Sequence, residues 1–408
     1  METTRKLGVI ADDFTGASDA ASFLLKGGSR VIMCNEIPKE FNEDFDALVI
    51  ALKIRSVSPE EAKEQVEKAV NFLVKMGCIF FYYKYCSTFD STPKGNIGIV
   101  MDFLVEMLHV PYSVLCPSLP VNGRIVENGY LYVNGIPLDQ SPMKDHPLNP
   151  MWDSFIPSLM NQQSKYACQV LRYNQLDAKN LEKLESKHKG APFYIIPDYK
   201  SDTDGRNIAS LFNHLTLLSG GSGLLEYLAP NSQKGLVYHE NLSVKRPIIL
   251  CGSCSKATKE QVQFFKENGG CTISIDSNEL LEKVFNSKSI FENVQKQNKP
   301  VLIYSNAIEQ DMNQLKMNPN FYQASKAMES FMSELSVLAY KSGFDRIVVA
   351  GGETSGAVIK ALGFKSFYIE KNIDPGVPVL RPLDSPKNTV ILKSGNFGSR
   401  DFFIKAIQ

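Results

Sequence analysis

The sequence predicts an α/β protein of two domains, each with a mostly parallel sheet flanked by helices. Short apolar runs, such as residues 7–11 and 247–250, alternate along the chain with segments of helical length and periodicity. The chain has 408 residues, of which 43% are hydrophobic, enough for about two or three domains. Residues 230–246 lack apolar periodicity and read as a linker. We therefore expect domains at 1–232 and 245–408, with the active site in the cleft between them.

Charge and cysteine content limit the function classes. Lysine and arginine number 44 and aspartate and glutamate also 44, so the formal net charge is zero. This balance predicts no nucleic-acid partner and no membrane partner, and it leaves homo-oligomer formation open. Eight cysteines at irregular spacing, with no signal peptide before Leu7, predict reduced thiols and a cytoplasmic location. The C-x-x-C at 251–254 has no second pair and no nearby histidine, so we predict no protein metal site.

The first apolar run ends at two adjacent carboxylates, Asp12 and Asp13, and a small-residue helix follows. Ligands of α/β sheets bind at the carboxyl edge of the strands, so either aspartate could be the catalytic carboxylate. Helix N-capping by Asp13 or Thr15 is the alternative interpretation. We expect the two side chains to diverge, one pointing into the site and the other toward the helix start.

Two further strand ends carry polar residues that suit a hydroxylated acid. Arg55 follows the run 47–52 and could hold a carboxylate in a bidentate fork, although a surface salt bridge would account for it equally well. The run 79–83 is followed by Lys84 and a hydroxyl-rich loop. The predicted substrate-binding residues are Arg55, Lys84, Ser91 and Thr92. Asp90, in the same loop, is the second choice for the catalytic carboxylate.

The rest of the first half offers weaker signals. Asn134-Gly135 between alternating residues predicts a β-hairpin. His146 lies in a polar loop, where a structural role is favoured over a catalytic one. The glycine-rich segment 219–223 either closes the site or is a flexible loop.

Three glycine- or serine-rich turns follow apolar runs in the second half, at 251–258, 351–356 and 394–398. A strand that breaks at glycines and continues as a helix presents free backbone N–H groups to an anion. The spacing matches neither the P-loop nor the dinucleotide motif. We nevertheless predict a nucleotide-phosphate site, in which Gly352 must remain glycine and Thr354 donates to the phosphates.

Four segments resemble the four-carbon acid sugar kinases: 10–17, 252–261, 351–356 and 393–398. The match is collinear over almost the whole chain, and 86–98 with 143–148 are most similar to the 3-oxo-tetronate branch, apart from Lys144, where we expect arginine. The resemblance implies an N-terminal acid-sugar-binding domain and a C-terminal ATP-binding domain. It further implies ATP contacts, for which the predicted residues are Ser253, Ser255, Gly351, Gly352, Glu353, Thr354 and Gly395.

The expected activity is ATP-dependent phosphorylation of the terminal hydroxyl of a four-carbon sugar acid, with Mg²⁺ bridging the phosphates. Threonate or erythronate kinase activity within the family is one alternative, and a non-catalytic sugar-acid-binding protein is another. The binding protein would not need the three turns of the second half. A sugar-acid dehydrogenase would need glycines where Asp12 and Asp13 stand.

Overall fold

The structure is a computed structural model that describes residues 5–145, 150–230, 244–282, 284, 286–309 and 320–408. The chain divides into two compact units, Met1–Leu236 and Val237–Gln408. Each unit alternates strands and helices, which confirms the predicted two-domain α/β architecture. His146 and most of the predicted linker lie outside the described residues.

In its described part, the first unit contains a sheet of eight parallel strands. In chain order they are β1 (Leu7–Ala11), β2 (Val31–Cys34), β3 (Ala47–Ala51), β4 (Phe80–Lys84), β5 (Tyr112–Cys116), β9 (Ala167–Leu171), β10 (Phe193–Pro197) and β11 (Leu217–Gly220). Their order across the sheet is β2-β3-β1-β4-β11-β5-β10-β9. The strands β1 to β5 are buried along their whole length, as expected when helices cover both faces.

Several helices of the first unit begin at polar residues that cap them. Asp13, Ser58 and Ser201 each accept a hydrogen bond from a first-turn N–H group, and Pro59 occupies the first turn of its helix. The helices are α1 (Phe14–Lys26), α2 (Pro59–Lys75), α3 (Ile97–Met107), α4 (Ile156–Asn161), α5 (Ala178–His188), α6 (Asp202–Phe212) and α7 (Leu225–Leu228).

A small antiparallel sheet interrupts the parallel pattern after β5. Its strands are β6 (Arg124–Glu127), β7 (Tyr130–Val133) and β8 (Ile136–Pro137). Both turns are Asn-Gly pairs with positive φ, at Asn128 (53°) and Gly129 (79°) and at Asn134 (51°) and Gly135 (79°). These angles are typical of two-residue hairpins, and the predicted hairpin is confirmed.

The second unit has a seven-stranded sheet among its described residues. The strands are β12 (Pro247–Cys251), β13 (Cys271–Ile275), β14 (Val301–Ser305), β15 (Arg346–Ala350), β16 (Ser366–Asp374), β17 (Val377–Pro382) and β18 (Thr389–Lys393). Their order is β13-β14-β12-β15-β18-β17-β16. The first five of these run parallel, whereas β17 is antiparallel to both β16 and β18.

Helices of this unit include a long one that packs beside the sheet. They are α8 (Lys256–Glu267), α9 (Ser277–Leu281), α10 (Ser287–Gln295), α11 (Phe321–Lys341), α12 (Gly352–Leu362) and α13 (Phe402–Ala406). Within the residues that the structure describes, no helix is both long and apolar enough to cross a lipid bilayer.

The first strand of each unit lies at a topological switch point. In the first unit, β1 pairs with β3 on one side and β4 on the other. In the second, β12 pairs with β14 on one side and β15 on the other. Ligands of open α/β sheets bind outside the carboxyl ends of the strands at such points.

The strands that the sequence does not predict include β11, β16 and β17. The glycine-rich segment 219–223 begins within β11, which forms a central strand between β4 and β5. β16 and β17 form a hairpin across residues 374–378, with Gly376 at φ 79°. Prolines at 375, 378 and 382 are unusual within strands, so the sequence does not show the strand pattern here. Helices α8 and α12 begin at Lys256 and Gly352, within the turns 251–258 and 351–356.

Candidate functional site

One arginine organises the carboxylates at the switch point of the first unit. Arg55, which follows β3, donates to both oxygens of Asp12, at 2.8 Å from Nε and 2.9 Å from Nη2. Its nitrogens also lie 3.2 Å from Asp13 Oδ2 and 3.9 Å from Asp90 Oδ2. The side chain of Asp12 is only 2% exposed. Arg55 therefore contacts three carboxylates in a buried ion cluster and does not form a surface salt bridge.

The two adjacent aspartates differ in electrostatics. Burial raises the pKa of Asp12, even though Arg55 opposes the shift. Burial alone would also raise the pKa of Asp13, but Arg55, Lys84 and the N–H of Gly16 outweigh it and lower that pKa. The Asp13 side chain is 30% exposed. Asp13 is thus the carboxylate of the pair with the lowered pKa and the greater exposure.

Asp13 also caps helix α1. Its Oδ1 accepts from the N–H of Gly16 at 2.6 Å, and its Oδ2 accepts from the Thr15 hydroxyl at 3.1 Å. A Cβ added to Gly16 would lie 2.4 Å from Asp13 Oδ1, so the cap requires glycine there. The capping interpretation describes Asp13 correctly. The predicted divergence is incomplete, because Asp12 and Asp13 both reach Arg55.

Lys84, at the end of β4, is buried with its own counterion. Its Nζ lies 3.6 Å from Asp19 Oδ2 and donates to the carbonyl of Tyr85 at 3.0 Å. Ser222 donates to the same Asp19 oxygen at 2.6 Å, and in the described part of the chain Asp19 Oδ1 has no hydrogen-bond partner. Burial raises the pKa of Asp19 although Lys84 and Ser222 oppose it. The charge of Lys84, predicted to face substrate, is therefore compensated inside the unit.

The hydroxyl-rich loop after β4 divides between interior and surface. Thr88 donates to Asp90 at 2.7 Å, and Asp90 is largely buried. Ser91 donates to Gln163 at 3.0 Å and is 3% exposed. Thr92 is partly exposed. Of the two predicted substrate hydroxyls, that of Thr92 is the more accessible.

The predicted nucleotide turns meet at a cavity of about 310 Å³ within the second unit. Six of the seven residues predicted to contact ATP line it: Ser253, Gly351, Gly352, Glu353, Thr354 and Gly395. The seventh, Ser255, caps α8 and donates to the carbonyl of Gly395. The turns after β12, β15 and β18 are thus brought together as the sequence predicts, at the switch point of this unit.

Close backbone approach accounts for the glycines of these turns. Gly351 has φ 121°, a conformation that side-chain-bearing residues rarely adopt, and α12 begins at the next residue. A Cβ on Gly252 would lie 2.1 Å from Thr354 Oγ1, and one on Gly395 would lie 2.8 Å from Ser253 Oγ. The three turns therefore interlock only when these positions lack side chains.

Helix α11 lines the cavity with apolar side chains and two polar ones. Phe321, Ala324 and Met328 lie at the spacing of one helix face, and Ser325 and Glu329 line the cavity beside them. From sequence alone, such a stripe is typical of core packing, and nothing marked it as part of a site. An apolar wall opposite polar turns suits a ligand with a flat base and a charged tail.

A buried lysine lies behind the turns. Lys393, the last residue of β18, is 0% exposed, and its Nζ donates to Thr258 Oγ1 at 2.9 Å and to the carbonyls of Ser394 at 3.1 Å and Gly395 at 2.9 Å. It forms no ion pair with any carboxylate in the described part of the chain. Burial lowers the pKa of Lys393 to about 8. Within the described residues, the positive charge behind the turns is therefore held by neutral oxygens and by the ring of Phe402, whose centroid lies 5.9 Å from Nζ.

Family comparisons divide the chain in the same way. The model described as "Sugar-binding N-terminal domain" matches residues 7–228. The model described as "Nucleotide-binding C-terminal domain" matches residues 248–403. The acid cluster lies within the first match and the glycine turns within the second.

Curated relatives match over nearly their full length. The 3-oxo-tetronate kinase of Salmonella typhimurium (strain LT2) is 38% identical over 414 residues, covering 98% of each chain. The 3-oxo-tetronate kinase of Haemophilus influenzae is 36% identical over 408 residues, covering 97% of this chain and 98% of the relative. The similarity therefore includes both units.

Two solved structures share the fold at similar identity. A Salmonella typhimurium LT2 protein, provisionally described as a tRNA synthase, has a TM-score of 0.83 and 37% identity, covering 99% of this chain and 98% of its own. Haemophilus influenzae protein HI1011 has a TM-score of 0.78 and 36% identity, covering 98% of both chains. With matching domains, full-length relatives and the same fold, the chain belongs to the four-carbon acid sugar kinase family.

Proposed function

We propose that this protein is an ATP-dependent kinase that transfers the γ-phosphoryl group to the terminal 4-hydroxyl of 3-oxo-tetronate. The observation that carries the proposal is the cavity where three glycine- and serine-rich turns meet at the switch point of the second unit. Full-length relatives named 3-oxo-tetronate kinase support the choice of acceptor. Transfer to an alcohol depends mainly on positioning and on electrostatic stabilisation of the phosphoryl group.

In this proposal the second unit binds ATP. The N-terminus of α12 and the Thr354 side chain would donate to the phosphates, and the apolar face of α11 would pack against adenine. Mg²⁺ in ATP-dependent enzymes is held by phosphates and one or two carboxylates. Among the described residues no group of three or more His, Cys, Asp or Glu could hold a metal by itself. Glu353, exposed in the first turn of α12 beside the cavity, has the oxygen ligand that Mg²⁺ prefers, and the ion would neutralise phosphate charge.

The first unit would bind the sugar acid and present its hydroxyl to a carboxylate. The side chain of Asp12 is only 2% exposed, and both of its oxygens are held by Arg55, so we assign Asp12 to positioning. Asp13 is charged and more exposed, and we assign it the contact with the attacking hydroxyl. Asp90 is the second choice, because its carboxylate is bound by Thr88 and largely buried.

A related acid such as threonate or erythronate is the alternative substrate. A sugar-acid-binding protein without activity would not need the interlocked turns of the second unit. All eight cysteines are free, which fits the reducing cytoplasm where we expect this enzyme to work.

The test is ADP release with ATP, Mg²⁺ and a panel of four-carbon sugar acids. We expect release with the 3-oxo acids above that with threonate and erythronate, and a product with phosphate on carbon 4. Faster turnover of threonate or erythronate would change the assigned substrate. Calorimetric binding of an acid without any ADP release would favour the binding protein.

A further inference from the structure

Arg124 is a second arginine that the first unit places at the carboxyl edge of its sheet. It follows the loop that leaves β5 and begins β6. The backbones of Leu119 and Arg124 exchange hydrogen bonds of 2.8 and 3.1 Å, which close this loop. β5 is separated from β4 by one strand, so the loop belongs to the same edge as the acid cluster.

The guanidinium of Arg124 has few partners. Nη1 donates to the carbonyl of Asn122, and Nε is buried without a hydrogen-bond partner among the described residues. No carboxylate in the described ranges forms an ion pair with it. Burial lowers the pKa of Arg124, which reflects the cost of holding this charge away from water. Arg124 is partly buried, and a cation whose Nε is withdrawn from water without a partner is costly unless an anion joins it.

The other cations of the cluster have counterions. Arg55 contacts Asp12, Asp13 and Asp90, and Lys84 faces Asp19. Arg124 interacts electrostatically with Cys86, Asp19 and Asp90, and among the described residues none of them forms a hydrogen bond or an ion pair with it. Within this cluster, as far as the structure describes it, Arg124 is the cation that has no carboxylate in contact.

We propose that Arg124 binds the carboxylate of the sugar acid, an inference that rests on the proposed function. A guanidinium fork can hold a carboxylate by two parallel hydrogen bonds, and Nε is one of the nitrogens that such a pair uses. The cation also offsets the repulsion that four neighbouring aspartates would exert on an anionic substrate. Arg55, to which the sequence assigned this role, instead positions Asp12 and Asp13.

The test compares the best acid of the panel with its primary amide, which keeps the shape of the acid and removes its charge. The wild-type protein should prefer the acid in kcat/KM. Arg124→Met should lower kcat/KM for the acid roughly tenfold to a hundredfold, the usual effect of losing a charge-assisted hydrogen bond. Its effect on the amide and on the KM for ATP should be less than about threefold, so the preference for the acid should largely disappear.

Two further variants complete the experiment. Arg124→Lys keeps the charge without the fork and should fall between wild type and Arg124→Met. Arg206→Met removes an exposed arginine of α6 and should match wild type. If Arg124→Met lowers the rates with acid and amide equally, or keeps the preference, the assignment is wrong. Should the Met variant unfold, as judged by its melting curve, the acid preference of the folded Lys variant decides, because an unchanged preference would contradict the fork.

Failure of the proposed function has a different signature. If wild-type protein releases no ADP with any acid of the panel, the kinase assignment fails whatever Arg124 does. If wild type then still binds an acid in calorimetry, the loss of that binding in Arg124→Met would support the carboxylate site alone. Intact binding in that variant would overturn it.

Discussion

The two switch points have the same strand order, but a buried lysine has a carboxylate beside it in the first unit and none among the described residues in the second. In the first unit Lys84 ends β4 and faces the carboxylate of Asp19 at 3.6 Å. In the second, Lys393 ends β18 and, among the residues that the structure describes, donates to one hydroxyl and two carbonyls without a carboxylate partner. Both side chains are almost completely buried. The two sheets therefore differ in whether the protein supplies a counterion for a lysine at a strand end, β4 lying next to β1 and β18 lying two strands from β12.

This difference matches the charge of the proposed ligands. ATP brings several negative charges, so an uncompensated cation behind the turns favours its binding. A sugar acid brings one negative charge and a hydroxyl that must approach a carboxylate. The first unit needs anions at its edge, and it keeps them in place by pairing them with buried cations.

The largest effect should come from breaking the compensated cluster. Arg55→Met would leave Asp12 buried without a partner, and losing one member of a buried pair typically costs about 3 to 5 kcal/mol. Urea denaturation followed by circular dichroism would measure the loss. The double variant with Asp12→Asn should recover part of it. A loss below about 1 kcal/mol would show that the cluster is not structurally important.

The next effect concerns catalysis. Asp13→Asn should lower kcat roughly a hundredfold or more, the usual span for a general base, while ATP binding is retained. Asparagine is also a good helix N-cap, so stability should change by less than about 1 kcal/mol. Steady-state kinetics and thermal melting separate the two effects. Near-normal turnover would contradict the assignment of Asp13 and make Asp90 the next residue to test.

The nucleotide turns should tolerate side chains poorly. Gly351→Ala forces a side chain into φ 121°, at a cost of about 1 to 3 kcal/mol, which we expect to appear mainly as weaker ATP binding. Gly352→Val should also block ATP, by obstructing the approach of the phosphates. Gly356→Ala is the control on the same helix, since a Cβ there meets open space. Unchanged ATP affinity in folded Gly351→Ala and Gly352→Val proteins would make the loop a simple turn.

Removing the uncompensated lysine should give the smallest and most specific effect. With its pKa near 8, Lys393 loses its proton as the pH rises from about 7 to about 9, and ATP affinity should fall several-fold over that range. Lys393→Met should bind ATP more weakly at the lower pH and show little further change at the higher one. Calorimetry at both pH values tests this. An equal pH dependence in both proteins would exclude Lys393 as its source.

The stability of the protein should follow the opposite course. The unfolded chain keeps the ordinary lysine pKa of 10.5, whereas the folded protein has about 8. Between these values the unfolded state binds one proton more, so Lys393 makes the free energy of unfolding rise with pH.

Lys84→Met should instead destabilise the protein, because it leaves Asp19 without its cation.

Local pattern was sufficient for much of the fold. The apolar run 7–11 coincides with β1 and the run 247–250 lies within β12, because apolar runs in buried parallel strands stop at glycine or polar residues. The three turns that line the cavity of the second unit could be identified because glycines that separate a strand from a helix are typical of phosphate-binding loops. The hairpin of β16 and β17 could not be predicted, since its prolines are unusual within strands.

The sequence does not show which charged side chains contact each other. Arg55 and Arg124 both follow strands as single arginines, and only the fold shows that one meets three carboxylates while the other meets none among the described residues. Asp19 lies within a small-residue helix and carried no signal of its contact with Lys84. Lys393 is the first residue of the segment 393–398, and nothing in the sequence indicates that its side chain is buried.

The interlocked turns of the second unit also bear on how this unit folds. Gly252, Gly351 and Gly395 come from segments separated by about a hundred and about forty residues, and they meet only after β12, β15 and β18 have paired. Contacts of such long sequence separation form late, because the chain must first lose loop-closure entropy. We therefore expect the ability to bind ATP to return during refolding only after most helical signal has recovered. Added nucleotide should lower the rate constant of unfolding and leave the rate constant of refolding unchanged.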